Sequence, residues 1–197
     1  MRAAGGEAHA LPGDVADKRD AHRLAGAAAA LVGPLDVVVH NASTLGHVPL
    51  LPLLETDCED LERVLAVNLV GPFRLTKIVA GAMAVRGRGL VVHVSSDAAV
   101  AAYPTWGAYG VSKAAQDHLG RILAAELEGT GVRVVSVDPG EMNTRMHADA
   151  LPDADPAALA DPDEVARRLA ALVARPEAFA PNGGRVELAR VPFEEAA

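Results

Sequence analysis

The chain has 197 residues, of which 50% are hydrophobic and 22% charged, enough for one globular domain with a substantial core. Its formal net charge of −8 disfavours nucleic acid and anionic membrane surfaces as partners. The single cysteine, Cys58, excludes an internal disulfide, and we expect neither a membrane span nor a signal peptide. One domain over residues 1–197 in a cytoplasmic, reducing setting is therefore expected.

Short apolar runs alternate with helical patterns along the chain. Helices are predicted over residues 16–32, 61–85, 106–127 and 163–174, and strands over 36–40, 90–94, 132–137 and 185–189. The strand runs lack strict polar–apolar alternation, which is typical of strands buried on both faces of a parallel sheet. The order predicts an α/β fold with a doubly wound parallel sheet. Residues 150–162 are either a solvent loop before a helix capped by Asp161 or part of a substrate lid.

Tyr109 and Lys113 lie four residues apart in the third predicted helix, so their side chains share one face. A tyrosine titrates near pH ~10 and is a poor base at neutral pH. A nearby ammonium favours the phenolate and should lower the pKa of Tyr109. The pair is therefore suited to passing a proton to or from a carbonyl or alcohol oxygen. The same spacing also occurs on many solvated helix faces, so the pair needs further support.

That support comes from polar residues that close three of the predicted strands. His40-Asn41-Ala42, Ser95-Ser96 and Asp138-Pro139-Gly140 each follow an apolar run. In doubly wound sheets the ligand lies beyond the carboxyl ends of the strands. We therefore expect these residues to meet at one edge of the sheet, beside the Tyr109 helix.

Together the motifs resemble the short-chain dehydrogenase/reductase family, classical type, over nearly the whole chain. Tyr109 and Lys113 match its Tyr-x-x-x-Lys, and Ser96, thirteen positions before the tyrosine, matches its catalytic serine. The other matches are to a helix asparagine, an Asn-Ala turn, a Pro-Gly-x-x-x-Thr segment and an adenine-contacting Asp-Val pair: Asn68, Asn41-Ala42, Pro139-Gly140 with Thr144, and Asp14-Val15. The resemblance implies a Rossmann-like sheet.

The resemblance also implies an oxidoreductase that uses NAD or NADP to interconvert a carbonyl and an alcohol on a small-molecule substrate. Tyr109 would be the acid or base, Lys113 would bind the nicotinamide ribose, and Ser96 would hold the substrate oxygen. Asn68 would break its helix and hold a water of a proton relay. The implied cofactor contacts are Asp14, Val15, Asn41, Ala42, Tyr109, Lys113, Pro139, Gly140 and Thr144. No metal is assigned, and a homo-oligomer formed through the second and third helices is expected.

Purely structural roles remain open for several of these residues. Asn68 could be a helix-surface amide, Ser96 a strand-end turn residue and Asn41 a turn stabiliser. His93 is expected to be a packed histidine. Softer candidates for the substrate pocket are Trp106, Met142, Met146 and His147.

Part of the family pattern is absent. The chain has no Thr-Gly-x-x-x-Gly-x-Gly turn, and aligned on Asp14-Val15 it lacks the first two strands and the glycine loop. The sequence therefore does not distinguish NAD from NADP, and weak cofactor binding is expected. The alternative function is a catalytically impaired or non-catalytic member of the family, acting as a scaffold or partner subunit. His40 and Ser43 also replace an asparagine and the glycine of the family's Asn-Asn-Ala-Gly turn.

The absent strands would leave residues 36–40 as a sheet edge with an apolar flank. Three outcomes are open: residues 8–11 pair beside this strand, another subunit covers it, or the chain is a fragment of a longer gene product. We favour the last, for instance through a misassigned start codon. DNA sequencing upstream of Met1 tests it, because the hypothesis requires an in-frame glycine-rich segment there.

Overall fold

A computed structural model of the chain describes residues 5–192. Its centre is a four-stranded sheet in which every neighbouring pair is parallel, in the order β1-β2-β3-β4. The strands are β1 Val37–His40, β2 Gly89–Val94, β3 Val132–Asp138 and β4 Arg185–Glu187. All four predicted strands are present with small shifts at their ends, and the doubly wound α/β prediction is confirmed.

The predicted helices are also present, with one interruption. They are α1 Lys18–Val32, α2 Cys58–Leu65, α3 Gly71–Arg86, α4 Gly107–Glu126 and α6 Pro162–Ala174. The predicted helix 61–85 is thus two helices, joined by a single π turn, Ala66–Val70. Two short helices, α5 Arg145–Ala150 and α7 Pro176–Phe179, were not predicted.

Successive residues of a strand point to opposite faces of the sheet, and both faces are covered. Val91 and Val134 pack with helices α1, α3 and α4 on one face. Val92 and Val135 pack with α6 and the C-terminal segment on the other. All four valines have no exposed surface, which explains the unbroken apolar runs in the sequence. The carboxyl ends of the strands remain open for a site.

The α2–α3 run corrects one expectation from the sequence. By length and composition alone, the helical stretch Cys58–Arg86 could cross a membrane. In the fold, however, α3 packs its buried Val79 and Met83 onto the sheet. The core helix of a globular domain meets the same compositional test, so the apolar character of this run is explained by burial.

Strand β1 forms an edge, as expected. In the part of the chain that the structure describes, it pairs only with β2, and Val37 and Val39 are each 39% exposed. Residues 8–11 have no regular structure, so the expectation that they might pair beside β1 is wrong. This segment is followed by Gly13 and the Asp14–Asp17 turn, which lead directly into α1.

Candidate active site

Residues that follow β2 and β3 gather at the carboxyl edge of the sheet, as predicted. Ser96 and Pro139-Gly140 line a cavity of about 350 Å³, together with Tyr109 from the first turn of α4. The helix approaches the Ser96 turn closely because Gly110 has no side chain. A Cβ at this position would lie 2.9 Å from the carbonyl oxygen of Ala98. The close packing of α4 against the Ser96 turn therefore explains why a glycine follows Tyr109 in the sequence.

Tyr109 lies at the inner wall of the cavity and is almost fully buried. Burial raises the pKa of its phenol to about 12, although side-chain hydrogen bonds with Ser96 and Ser43 act in the opposite direction. The carboxylates of Asp97 and Asp138 raise the pKa further. The sequence-based expectation of a lowered pKa is therefore wrong for this structure, because desolvation of the phenolate outweighs the stabilising contacts. The phenol is held in its proton-bearing form.

Lys113 is buried behind the phenol, one helical turn along α4. Its Nζ donates a hydrogen bond to the Val94 carbonyl oxygen at 2.7 Å and lies 5.4 Å from the centre of the Tyr109 ring. Burial lowers the pKa of Lys113 to about 8, and the Asp117 carboxylate acts in the opposite direction. The ammonium thus lies between the end of β2 and the phenol, with further N–H groups able to donate.

Asn68 occupies the π turn and is fully buried, so a helix-surface role is wrong for it. Its Nδ2 donates to the Thr44 carbonyl oxygen and to Ser112 Oγ, both at 2.9 Å. Its Oδ1 accepts from the Thr44 amide at 2.8 Å and from Ser43 Oγ at 3.2 Å. Ser112 in turn donates to the Tyr109 carbonyl oxygen. Asn68 therefore joins the loop after β1 to the tyrosine helix.

Ser96 caps a turn at the end of β2, and its side chain also lines the cavity. Its Oγ accepts from the Ala98 amide at 3.2 Å, which caps a short turn, and donates to Asp97 Oδ1 at 2.9 Å. Asp97 also accepts a hydrogen bond from the Tyr103 hydroxyl. The serine hydroxyl is thus oriented between a carboxylate and the Tyr109 phenol.

Sequence reasoning missed Arg185, which links the turn after β2, the end of β3 and the middle of α4. Its Nη2 donates to the Ser96 carbonyl oxygen at 2.9 Å and to Asp138 Oδ2 at 2.7 Å, while its Nε lies 3.4 Å from Asp117 Oδ2. Asp138 also accepts from the Gly140 amide. The arginine therefore fixes both the Ser96 turn and the Pro139-Gly140 turn. No local motif signals it, because it is 89 residues from Ser96.

The softer pocket candidates lie around the same cavity. Trp106 packs edge-on against the Tyr109 ring, with 5.8 Å between centroids. The other walls are formed mainly by Leu45, Tyr103, Met142, Met146, His147 and Leu151. Leu151 belongs to the 150–162 segment, which is held by mutual backbone hydrogen bonds between Ala160 and residues 141 and 143. Part of the proposed lid therefore contacts the cavity, while Asp161 caps α6 as predicted.

His93 has a packing role, as expected, and it shares this role with His40. His93 is fully buried in β2 and stacks on His40 with 5.1 Å between ring centroids. His40 shares a hydrogen bond with Thr76. Within residues 5–192 there is no cluster of His, Cys, Asp and Glu that could hold a metal ion.

Comparison with known proteins gives the family. The sequence model for short chain dehydrogenase matches residues 1–155. The chain belongs to the short-chain dehydrogenase family. An uncharacterized oxidoreductase from Thermotoga maritima is 40% identical over 140 residues, which cover 71% of this chain and 54% of the relative. The D-threitol dehydrogenase of Mycolicibacterium smegmatis is 35% identical over 162 residues, covering 78% of this chain and 61% of that protein.

A solved structure of the same family has the same fold. A short chain dehydrogenase from Escherichia coli CFT073, in complex with NADPH, superposes with a TM-score of 0.77 at 28% identity. The match covers 90% of this chain and 72% of that one. The chain spans about half the length of several curated relatives that it matches.

The cofactor residues expected of a short-chain dehydrogenase fall into two groups. Pro139, Gly140 and Thr144 line the cavity beside Tyr109 and Lys113. Val15, Asn41 and Ala42 line a separate cleft of about 70 Å³ under the end of β1. Asp14 is exposed, and its side chain accepts from the Ala16 amide. The two groups thus line different cavities of the described structure.

The residues present fit the nicotinamide end of such a cofactor. The Ser95 hydroxyl is buried at the cavity wall without a hydrogen-bond partner in the described structure, and the Lys113 ammonium donates to the carbonyl oxygen of the preceding residue, Val94. At the diphosphate end, the described residues before α1 form no glycine-rich loop after a strand. The described residues thus fit the nicotinamide end of the cofactor and not its diphosphate end.

Proposed function

We propose that this chain is the catalytic part of an NAD(P)-dependent oxidoreductase that interconverts a carbonyl and an alcohol. The observation that carries the proposal is the buried Tyr109 phenol, which faces the cavity in hydrogen-bond contact with Ser96 and with the Lys113 ammonium behind it. The NADPH complex of the related Escherichia coli protein supports the cofactor class. The name of the Mycolicibacterium relative, a D-threitol dehydrogenase, supports an alcohol as one partner of the reaction.

In the direction of reduction, Tyr109 donates its proton to the carbonyl oxygen, and Ser96 orients that oxygen. The bound nicotinamide would supply the hydride. A phenol with a pKa of about 12 is protonated at neutral pH, so Tyr109 is ready to act as an acid. The Lys113 ammonium stabilises the phenolate that remains. Alcohol oxidation reverses these steps and requires Tyr109 to accept a proton.

Steady-state turnover of a panel of carbonyl compounds with NADH and NADPH tests the proposal. Tyr109→Phe removes the proton donor and keeps the ring, and it should lower kcat by a factor on the order of a hundred or more. Tyr103→Phe makes the same change at a half-exposed tyrosine of the same cavity and should cost far less. Equal losses in the two variants would remove Tyr109 from the proton-transfer role.

A second candidate function is that of a family member that keeps the catalytic residues and binds cofactor poorly. It is favoured because residues 5–17, which precede α1, form no glycine-rich loop after a strand. Calorimetric titration with NADH and NADPH separates the two. Micromolar binding to this chain would exclude the second candidate. Millimolar or weaker binding would support it and would make the tyrosine variants indistinguishable from the parent chain.

A cytoplasmic setting and a homo-oligomer form part of the same proposal. The single cysteine is exposed and unpaired, which suits a reducing compartment. Exposed apolar side chains on α3 and α4 support contact between subunits through these helices: Phe73, Val85, Val111 and Ile122. Sedimentation velocity of the parent chain and of Val111→Glu tests the interface, since a dimer through α4 should dissociate in the variant.

A further inference from the structure

We infer that the cavity beside Tyr109 selects uncharged or cationic substrates with an apolar body and discriminates against anionic ones. The inference rests on the proposed function, because it takes this cavity as the substrate site. It concerns the charge and polarity of the substrate, which neither the family nor the chemistry of Tyr109 determines.

The apolar character comes from the cavity walls opposite Ser96. Leu45, Met142, Met146 and Leu151 surround the space together with the Trp106 ring. A volume of about 350 Å³ is enough for an aromatic or branched aliphatic body beside the reacting carbon. Walls of this kind pack against an apolar substrate body, while the polar lining residues are left for the reacting oxygen and for neutral or cationic groups of the substrate.

The charge preference comes from three carboxylates among the lining residues. Asp97, Asp138 and Glu141 all contribute to the cavity, and within residues 5–192 no lysine or arginine lines it. Anionic substrates are normally bound by arginine or lysine, and here they would meet charges of the same sign. The cavity therefore opposes a carboxylate, phosphate or sulfonate.

Arg185 does not supply the missing positive charge. It contacts the lining residues Ser96 and Asp138, but its guanidinium lies between the carboxylates of Asp138 and Asp117 and donates to the Ser96 carbonyl oxygen. Its charge is thus compensated by these two carboxylates. Lys113 lies behind Tyr109 and donates to Val94.

Two of the lining carboxylates, Asp97 and Glu141, form no ion pair with a lysine or arginine among the described residues. Asp97 accepts hydrogen bonds from neutral groups, the Ser96 and Tyr103 hydroxyls and the Ala98 amide. Glu141 stands 3.9 Å from His147 Nε2 and is largely exposed at the cavity mouth. Neither ring nitrogen of His147 has a hydrogen-bond partner in the described structure, so the ring is available to a hydroxyl or amino group of the substrate.

Trp106 allows the inference to be tested without cofactor or turnover, since it is the single tryptophan of the chain and lines the cavity. Quenching of its fluorescence is measured at about pH 8 with three ketones that share one body: para-methylacetophenone, para-acetylbenzoate and para-acetylbenzylamine. We expect the benzoate to bind about tenfold more weakly than the neutral ketone, and the benzylamine at least as tightly, with the differences shrinking as salt is added. The Trp106→Phe variant provides the optical blank.

Glu141→Gln should recover about threefold in affinity for the benzoate and leave the neutral ketone unchanged. Glu128→Gln removes the same charge from an exposed position after α4 and should change neither affinity. Equal effects of the two substitutions, or a benzoate that binds as tightly as the neutral ketone, would overturn the inference. Absence of quenching by all three ketones, together with no thermal stabilisation, would overturn it as well.

The same ligands separate this inference from the proposed function. If the charge ranking is found and no ketone is reduced with NADH or NADPH, the cavity preference stands and the oxidoreductase proposal fails. If the neutral and anionic ketones are reduced with equal kcat/KM, the oxidoreductase proposal stands and the charge preference is wrong.

Discussion

His93 and His40 should make the folded protein sensitive to mild acid, before most carboxylates titrate. Both rings are buried beneath the site and stack on one another. Burial lowers the pKa of His40 to about 4 and that of His93 to about 3, from an ordinary value of 6.5. The positive charge of Lys113 and the proximity of the two rings lower the pKa of His93 further. Protonation is therefore easier in the unfolded chain than in the folded one.

The sign and size of the effect follow from these pKa values. Both rings are neutral in either state above the unfolded pKa, so their full contribution to stability is present there. As the pH falls below that value the unfolded state binds protons first, and stability is lost until the folded pKa is reached. At about pH 5, each histidine lowers the free energy of unfolding by about 2 kcal/mol relative to about pH 8, and the pair lowers it by about 4 kcal/mol. Typical domains have a free energy of unfolding of only about 5–15 kcal/mol.

Urea unfolding followed by circular dichroism between about pH 8 and about pH 5 measures this loss. His93→Val, which matches the β-branched neighbours in β2, should remove about half of the pH dependence, or about 2 kcal/mol. His22→Gln, at an exposed position of α1, should leave the profile unchanged. A free energy of unfolding that stays constant from about pH 8 to about pH 5 would refute the reasoning, as would a full loss retained in His93→Val.

Three further substitutions test contacts that hold the site and the sheet in place. Asn68→Ala removes four buried hydrogen bonds and should lower the free energy of unfolding by about 2–4 kcal/mol, measured by urea titration. Arg185→Leu leaves two buried carboxylates without their ion pair and should cost about 3–5 kcal/mol, of which Arg185→Lys should restore part. Gly131→Ala places a Cβ 1.9 Å from the Gly87 carbonyl oxygen at a φ of 77° and should cost more than about 2 kcal/mol. Gly129→Ala has the same φ with nothing within 4 Å, and thermal melts should show a loss of only about 1 kcal/mol.

Part of the site could be predicted because its chemistry is carried by local patterns. The spacing of Tyr109 and Lys113 places both on one face of α4, and the polar residues after β2 and β3 must meet where parallel strands end. The π turn at Asn68 also lies where a polar residue interrupts an apolar helix pattern. These relations hold over short distances along the chain, where backbone geometry dictates them.

Other features could not be predicted because they depend on contacts between distant residues. Arg185 has no motif around it, and its role arises only when β4 pairs with β3 and its side chain reaches the Ser96 turn. Ser112 acquires its role from Asn68, 44 residues away. The division of the expected cofactor residues between two cavities is likewise visible only in three dimensions.

The sequence by itself determined the order of strands and helices along the chain, the placing of Tyr109 and Lys113 on one helix face, and the edge of the sheet at which the candidate site forms. The tertiary structure alone decided the electrostatic state of the pair. A lysine one turn away indicates a lowered tyrosine pKa, yet burial of Tyr109 raises the pKa, because the loss of water around a phenolate outweighs the hydrogen bonds from Ser96 and Ser43 that favour it. Burial depends on every element that packs around the ring, and no local pattern records it.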